Sequence, residues 1–316
     1  MRILITGIAG FIGFHVAQRL RSLQHTVVGI DTFSPYYDVQ LKKDRASLLR
    51  HENVTIYHQA VEDQKKLEAL IQNEQISHII HLAAQAGVRY SLHHPQSYIR
   101  ANIDGFLSVL EVGRQYPHIP IIWASSSSVY GINRNIPFSE IDRTDRPSNL
   151  YGATKQANEA MAHAYHHLFG LSLIGLRFFT VYGPWGRPDM SYFLFTEKIL
   201  NNQPIELYNE GSLKRDFTYI DDIVSGIIAA LNRPPSFAIY NLGNHRPEYV
   251  NTLVSLLEKS LDTPAIIHHV PTPKTEIACT MAEISLAKKD LSFTPTISLQ
   301  EGIPRFVEWY RSYYKK

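Results

Sequence analysis

With 316 residues, the chain is long enough for about two domains, each with its own apolar core. Its net charge of +2, from positive residues scattered along the sequence, gives no reason to expect a nucleic acid partner. A single cysteine, Cys279, excludes an intramolecular disulfide, and no apolar run approaches the ~20 residues that span a bilayer. The first predicted strand begins at residue 2, so we expect no signal peptide and a cytoplasmic location.

A dinucleotide-binding pattern begins at the amino terminus. Residues 2–6 (Arg-Ile-Leu-Ile-Thr) are predicted as a short buried strand, and the glycines Gly7, Gly10 and Gly13 follow at once. Gly7 permits a tight turn, Gly10 lets backbone amides approach a pyrophosphate, and Gly13 allows the next helix to pack closely on the strand. The amino terminus of that helix would then face the phosphates.

Asp31 ends the second predicted strand, which spans residues 26–31. A carboxylate at this place accepts hydrogen bonds from the adenosine ribose hydroxyls and repels a 2′-phosphate. The next residues, Thr32, Phe33 and Ser34, offer no arginine that would reverse the preference. The sequence therefore predicts NAD, not NADP, as the cofactor.

Strand-like and helical stretches alternate along the first half of the chain. Further strands are predicted at 54–57, 78–82, 119–123 and 171–177, and helices at 64–72 and 103–116. This alternation predicts an α/β fold with a doubly wound parallel Rossmann sheet. We assign the NAD-binding domain to 1–177 with 219–244 returning to it, and a smaller α/β substrate-binding lobe to 178–218 and 245–316.

Tyr151 and Lys155 share one face of a predicted helix, a single turn apart. A neighbouring cation favours the phenolate of a tyrosine, which can then take a proton from a sugar hydroxyl. Taken alone, the pair is better interpreted as a helix-surface feature, because the pattern occurs readily by chance. Ser126, in a run of four serines after a predicted strand, lies 25 residues before Tyr151 and offers a hydroxyl for a substrate oxygen, unless the run is only a turn.

Together these motifs are similar to those of the extended short-chain dehydrogenases/reductases, in the nucleotide-sugar epimerase and dehydratase group. The resemblance runs nearly from end to end. It rests on the glycine turn, Asp31, His81-Leu-Ala-Ala84, Asn102, the serine run, Tyr151 with Lys155, Arg177 to Pro184, and Arg215 to Asp222.

The resemblance implies a role for each matching residue. Tyr151 would be the base, Ser126 its hydroxyl partner, and Lys155 both the tuner of Tyr151 and a ligand of the nicotinamide ribose. Arg215 matches the arginine that grips the diphosphate of the sugar nucleotide. The implied NAD contacts are Gly7, Gly10, Phe11, Ile12, Gly13, Asp31, Leu82, Ala83, Ala84, Asn102, Tyr151, Lys155 and Phe178. The family also implies a homodimer that pairs the helices at 103–116 and 151–169.

The residues after Ser126 limit which reactions of this enzyme group the chain can catalyse. The 4,6-dehydratases that this chain resembles carry an Asp-Glu pair there, and the UDP-glucuronate decarboxylases carry a glutamate in the same stretch. Here the positions are Ser127 and Ser128, which can neither protonate a leaving hydroxyl nor efficiently remove a C5 proton. We therefore do not expect dehydration.

Two segments, 85–91 and 177–190, most resemble the UDP-glucuronate 4-epimerases. Oxidising C4 of glucuronate creates a β-keto acid that easily loses carbon dioxide, so the carboxylate must be restrained. Ser127, Ser128, Thr180 and Arg187 are the candidates for this task. Arg187 could instead serve the uracil or the phosphates, and Arg89 could bind either phosphate or carboxylate.

Three alternative functions remain: a 4-epimerase of neutral UDP-sugars, a UDP-glucuronate decarboxylase, and a regulatory NAD-binding protein, against which the intact catalytic residues argue. Two places depart from the family. Ala60 stands where an aspartate usually contacts adenine, so we expect backbone groups to recognise that base. Residues 276–283 supply no second phosphate-binding arginine. His163 and His167 have zinc-like spacing, but no further ligand motif accompanies them, and we predict no metal site.

Overall fold

The computed structural model describes residues 1–233, 236–273 and 277–316. Its strands are β1 Arg2–Thr6, β2 Thr26–Asp31, β3 Thr55–His58, β4 His78–His81, β5 Ile121–Ser126, β6 Leu173–Phe178, β7 Thr180–Tyr182, β8 Ile205–Tyr208, β9 Lys214–Arg215, β10 Phe217–Tyr219, β11 Phe237–Leu242, β12 Glu248–Tyr249 and β13 Ile267–Val270. Its α-helices are α1 Phe11–Ser22, α2 Val39–His51, α3 Gln64–Asn73, α4 Pro95–Tyr98, α5 Gly105–Gln115, α6 Leu150–Phe169, α7 Ser191–Leu200, α8 Ile220–Leu231, α9 Val250–Leu261, α10 Ser285–Leu291 and α11 Leu299–Tyr314.

The main sheet has seven strands in the spatial order β11-β6-β5-β4-β1-β2-β3. Strands β1 to β6 run parallel. The chain moves outward from β1 to β3 and then returns to β4 on the other side of β1. Parallel sheets of this kind bind ligands at the carboxyl ends of the strands, next to such a reversal. The predicted doubly wound α/β fold is confirmed.

Apolar residues explain why these strands lie in the interior. Ile3, Leu4 and Ile5 of β1 are fully buried, as expected for a parallel strand covered by helices on both faces. Trp123 of β5 is also buried, and its ring packs on that of Phe106 of α5, with 5.0 Å between the ring centroids.

Two predicted boundaries differ from the structure at the places that matter for function. Strand β5 does not stop at residue 123 but continues through Ser126, because its backbone remains paired with β6 as far as Phe178. The helix predicted from residue 103 begins instead with a π-helical segment, Ile99–Asp104, that leads into α5. Such segments are frequent at functional sites.

The residues that the structure describes divide into two compact units. The first comprises 1–133, 140–178 and 224–240, and the second 134–139, 179–223 and 241–316. Within the second unit, the buried carboxylate of Asp216 accepts hydrogen bonds from the backbone N–H groups of Asn244, His245 and Ala282, at 2.5, 3.1 and 2.8 Å. Burial raises the pKa of Asp216 while these hydrogen bonds lower it. Asp216 therefore joins three segments of that unit.

Within the described ranges, none of the helices has the length and apolar character that crossing a membrane requires.

Candidate active site

The glycine turn after β1 has the geometry that its sequence predicts. Gly7 adopts a φ of +72°, and a Cβ added to it would lie 2.8 Å from the backbone nitrogen of Ala83. A Cβ on Gly13 would lie 2.3 Å from the Gly7 carbonyl oxygen, so α1 packs closely on the turn. Gly10 is the N-cap of α1 and adds no side-chain hydrogen bond there. The helix N–H groups are therefore suited to a pyrophosphate.

Two side chains bind the backbone of Ala9 in this turn. One is the predicted Asp31, and the other is Arg45, which was not predicted from the sequence. The Asp31 carboxylate accepts hydrogen bonds from the N–H groups of Ala9 and Phe33, at 3.0 and 2.8 Å. The fully buried guanidinium of Arg45 donates to the Ala9 carbonyl oxygen at 3.0 Å and to the Tyr37 hydroxyl at 2.9 Å. The backbone of Ala9 is thus fixed at both its N–H and its C=O. The turn residues and Asp31 fit NAD, which we predicted from them.

Thr6 connects the ends of β1 and β4. Its hydroxyl lies 2.8 Å from His81 Nδ1 and accepts hydrogen bonds from the backbone N–H groups of Leu82 and Ala83, at 3.2 and 3.1 Å. Burial, with a smaller contribution from Lys155, lowers the pKa of His81 to about 3, so the ring is neutral. Thr6 therefore holds the backbone at the start of the predicted cofactor-binding segment, which comprises Leu82, Ala83 and Ala84.

Asn102, predicted as a cofactor contact, lies buried in the π-helical segment and joins two other elements. Its side chain donates to Thr154 Oγ1 at 2.9 Å and accepts from the Gln85 N–H at 2.8 Å. The backbone carbonyl oxygen of Asn102 accepts a hydrogen bond from the Asn158 side chain at 2.7 Å. Asn102 thus ties the loop after β4 to α6, the helix of Tyr151 and Lys155.

The first turns of α6 pack directly on the serine turn. Asn149 caps the helix by accepting from the Gly152 N–H at 2.8 Å. A Cβ on Gly152 would lie 2.6 Å from the Ser128 carbonyl oxygen. Lys155 is fully buried and its Nζ donates to the Ala124 carbonyl oxygen at 2.9 Å. Tyr151 is partly buried, and its ring lies 6.2 Å from that of Tyr98, edge to face.

The serines after β5 have different positions. Ser126 is the last residue of the strand, is paired with Phe178 of β6, and its Oγ accepts from the Ser128 N–H at 3.1 Å. Ser127 and Ser128 form the start of a 3₁₀ turn, Ser127–Tyr130. Three hydroxyl side chains therefore lie beside the amino-terminal end of α6, and this turn contains no acidic side chain.

A buried ion pair supports both the serine strand and α6. Arg177 of β6 donates two hydrogen bonds to Glu159 of α6, at 2.8 and 2.7 Å, and both side chains are buried. Ser125 donates to the same carboxylate at 2.6 Å, and Arg177 donates to the Tyr130 hydroxyl at 2.9 Å. Ser125, just before the predicted catalytic residue Ser126, and Tyr130, four residues after it, are thus both bonded to this ion pair.

The predicted substrate residues of the second unit have partners within that unit. Arg187 forms a two-bond ion pair with Asp189, at 3.0 and 2.5 Å. Arg215 donates to the carbonyl oxygens of Lys214 and Ile277, at 2.8 and 2.7 Å. Thr180 donates its backbone N–H to the Asp216 carbonyl oxygen at 3.1 Å. Arg89 belongs to the first unit, where it is exposed and precedes the 3₁₀ turn Tyr90–Leu92.

No group of three or more metal-ligating side chains occurs among the residues that the structure describes. The rings of His163 and His166 pack against Phe237, with centroids at 5.4 and 5.1 Å. These histidines contribute to packing on α6. Of the segment 276–283, Glu276 lies outside the described residues.

Residues 3–243 match the NAD dependent epimerase/dehydratase family. The chain belongs to this family. It is similar to UDP-glucuronate 4-epimerase 4 of Arabidopsis thaliana, with 46% identity over 99% of this chain and 76% of the relative. The resemblance inferred from the motifs is confirmed, and so is NAD as the cofactor.

Two solved structures are similar over nearly the whole chain. UDP-glucuronic acid 4-epimerase from Bacillus cereus, with UDP-glucuronic acid and NAD, has a TM-score of 0.93 and 33% identity, covering 99% of this chain and 100% of that one. UDP-glucose 4-epimerase from Thermotoga maritima, with UDP-glucose, has a TM-score of 0.90 and 29% identity, covering 99% and 100%. Since epimerases of an acidic and of a neutral sugar share this fold, the substrate must be argued from side chains.

The buried Lys155 leads to a prediction about pH. Burial lowers the pKa of Lys155 to about 8, so the ammonium loses its proton at a lower pH than an exposed lysine does. In the role that the resemblance implies for Lys155, a neutral amine would no longer favour the phenolate of Tyr151, and we expect kcat to fall as the pH rises through about 8. The measurement is kcat as a function of pH. Lys155→Arg, which stays charged, should lack this fall; if it shows the same fall, another group is responsible.

Proposed function

We propose that the protein is a UDP-glucuronate 4-epimerase, an isomerase that interconverts UDP-glucuronate and UDP-galacturonate. The observation that carries the proposal is the arrangement around Ser126. Lys155 is held at the carbonyl oxygen of Ala124, α6 packs on the serine turn at Gly152, and that turn offers hydroxyls but no carboxylate. The similarity to UDP-glucuronate 4-epimerases over nearly the whole chain supports the same substrate.

In the proposed mechanism, Tyr151 takes the proton from the O4 hydroxyl while Ser126 donates a hydrogen bond to that oxygen. NAD, which the glycine turn at Gly7, Gly10 and Gly13 and the carboxylate of Asp31 would hold, would supply the acceptor for the C4 hydride and the donor for its return to the opposite face of the sugar. Lys155 favours the phenolate of Tyr151 and holds the nicotinamide ribose. Between the two transfers the 4-keto sugar turns about its diphosphate linkage, so tight binding should concentrate on UDP, with Arg215 as the anchor.

We further propose that the carboxylate of the 4-keto intermediate is held by Ser127, Ser128, Thr180 and Arg187. Held near the sugar plane, its carbon–carbon bond overlaps poorly with the ketone, which opposes loss of carbon dioxide. The guanidinium of Arg187 already binds a carboxylate of the same chain, because it donates two hydrogen bonds to Asp189. Such a planar fork is suited to carboxylates. A substrate carboxylate would share or replace that partner.

The reaction is tested by incubating the purified protein with UDP-glucuronate and, separately, with UDP-glucose, and by following the products with proton NMR. We expect UDP-galacturonate without a pentose product. UDP-xylose would identify a decarboxylase, and turnover of UDP-glucose alone would identify a neutral-sugar epimerase; either result contradicts the proposal. Absence of any turnover, with NAD bound, would favour a regulatory NAD-binding protein.

Replacement of Arg187 by leucine tests the carboxylate contact. Loss of a charge-assisted hydrogen bond should lower kcat/KM for UDP-glucuronate about 10-fold to 100-fold. The affinity for UDP, measured by calorimetry, should remain unchanged; if it falls as well, Arg187 serves the nucleotide. Arg143→Leu is the matched control, because Arg143 also pairs with an aspartate two residues later, Asp145, but is exposed. It should leave both values unchanged.

We also propose a cytoplasmic homodimer that pairs α5 and α6 with their copies. These helices expose large apolar side chains: Leu107 of α5 is 40% exposed, and Leu168 and Phe169 of α6 are 66% and 43% exposed. Light scattering coupled to size-exclusion chromatography measures the mass. We expect the mass of a dimer, and we expect Leu107→Glu to weaken that dimer. A monomer at micromolar concentration contradicts the proposal.

A further inference from the structure

Gln59 lies beside Asp31 at the carboxyl edge of the main sheet. Strand β3 ends at His58, which is paired with Asp31 of β2. The next N–H, that of Gln59, donates to the Asp31 carbonyl oxygen at 3.1 Å. In this fold an acidic residue at the end of β2 binds the adenosine ribose. Gln59 therefore lies at the part of the sheet edge that receives the adenosine of NAD.

The carboxamide of Gln59 has an unused hydrogen-bonding atom. Its Nε2 is buried and has no hydrogen-bond partner among the residues that the structure describes. A buried donor without an acceptor is costly and uncommon in folded proteins. The neighbouring His58 does not supply an acceptor for this amide. Its Nε2 lies 3.1 Å from the Thr32 carbonyl oxygen, and its ring packs on Phe33. A ligand that brings an acceptor would satisfy the amide.

The next residue lacks the means to recognise a base. Ala60 stands at the position where the family resemblance implies an adenine-binding aspartate, and its methyl group can neither donate nor accept a hydrogen bond. A glutamine amide offers a donor and an acceptor side by side. Adenine presents the matching pair, an amino group next to an unprotonated ring nitrogen, which is why glutamine binds adenine with two hydrogen bonds.

We propose that the carboxamide of Gln59 recognises the adenine of NAD and takes over the role of the absent aspartate. Its oxygen accepts from the adenine amino group, and Nε2 donates to the adjacent ring nitrogen. Recognition of the base then rests on a side chain one residue earlier than expected, instead of on backbone groups alone. The ribose contact of Asp31 is separate, so Gln59 determines the choice of base and not that of NAD over NADP.

A competition between two dinucleotides tests this role without using the catalytic reaction. Etheno-NAD carries a ring fused across the adenine amino group and N1, which removes the amino donor that the proposed pair requires, whichever adjacent ring nitrogen accepts from Nε2. The protein is equilibrated with equimolar NAD and etheno-NAD and desalted, and the bound dinucleotides are released and quantified by chromatography. We expect the wild type to retain about 10-fold more NAD than etheno-NAD, and Gln59→Leu to retain nearly equal amounts.

The ratio separates recognition from a structural role. If Gln59 only supports the fold, Gln59→Leu would bind both dinucleotides more weakly and leave their ratio as in the wild type, which overturns the proposal. Equal retention of both by the wild type overturns it as well. Gln300→Leu is the matched control, because Gln300 is an exposed glutamine of α11 whose side chain bonds to Glu248 at 3.3 Å. It should preserve the wild-type ratio.

Discussion

Tyr151→Phe is expected to lower kcat about 10²-fold to 10⁴-fold. The change removes one oxygen atom, the one that we propose takes the O4 proton, and leaves the ring that contacts Tyr98 edge to face. Lys155 keeps its hydrogen bond to the Ala124 carbonyl oxygen, and Asn149 still caps α6. Folding and NAD binding should therefore be retained. The measurements are single-turnover reduction of the bound NAD and urea unfolding.

The matched control is Tyr165→Phe on the same helix. Its hydroxyl donates to Glu111 at 2.5 Å on α5, and burial together with this carboxylate raises the pKa of Tyr165 to about 12, so it is not suited to act as a base. We expect wild-type kcat from this variant. If Tyr165→Phe loses as much activity as Tyr151→Phe, the effect comes from α6 packing; if Tyr151→Phe remains active, the base is another group.

The sheet and its cofactor turn are predictable because their determinants are local. Buried parallel strands are nearly continuous apolar runs, and a glycine is needed wherever a Cβ would meet backbone atoms, as at Gly7 and Gly13. The extension of β5 through Ser126 is different. Serine does not favour strands, and only pairing with β6, about fifty residues later, keeps this backbone extended.

Buried polar contacts are the part that sequence reasoning missed. Arg45 lies on α2 four residues from Leu41 and Leu49, on the face that is buried, and this spacing was the only available signal. Its bond to Ala9 joins residues 36 apart. Similarly, the ion pair between Arg187 and Asp189 is not evident from the sequence, and the contact of Arg187 with a substrate carboxylate stays a prediction. Pairs of this kind depend on rotamers and on tertiary packing, which no local pattern specifies.

Breaking the ion pair between Glu159 and Arg177 should destabilise the protein strongly. Their side chains are only 9% and 4% exposed, and Glu159→Gln leaves a buried guanidinium without its counter-charge. We expect a loss of about 3–5 kcal/mol in the free energy of unfolding. Urea denaturation measures it. Because Ser125 also bonds to Glu159, we expect kcat to fall as well.

A double variant separates charge from packing. Arg177→Met added to Glu159→Gln removes the uncompensated charge, so the pair of changes should cost less stability than Glu159→Gln alone. Asp145→Asn is the matched control: its partner Arg143 is exposed, and water already solvates both groups, so stability should not change measurably. If the double variant is instead as unstable as the sum of the single changes, Glu159 and Arg177 act independently. Hydrogen bonds to Ser125 and Tyr130, and not the ion pair, would then hold the serine strand against α6.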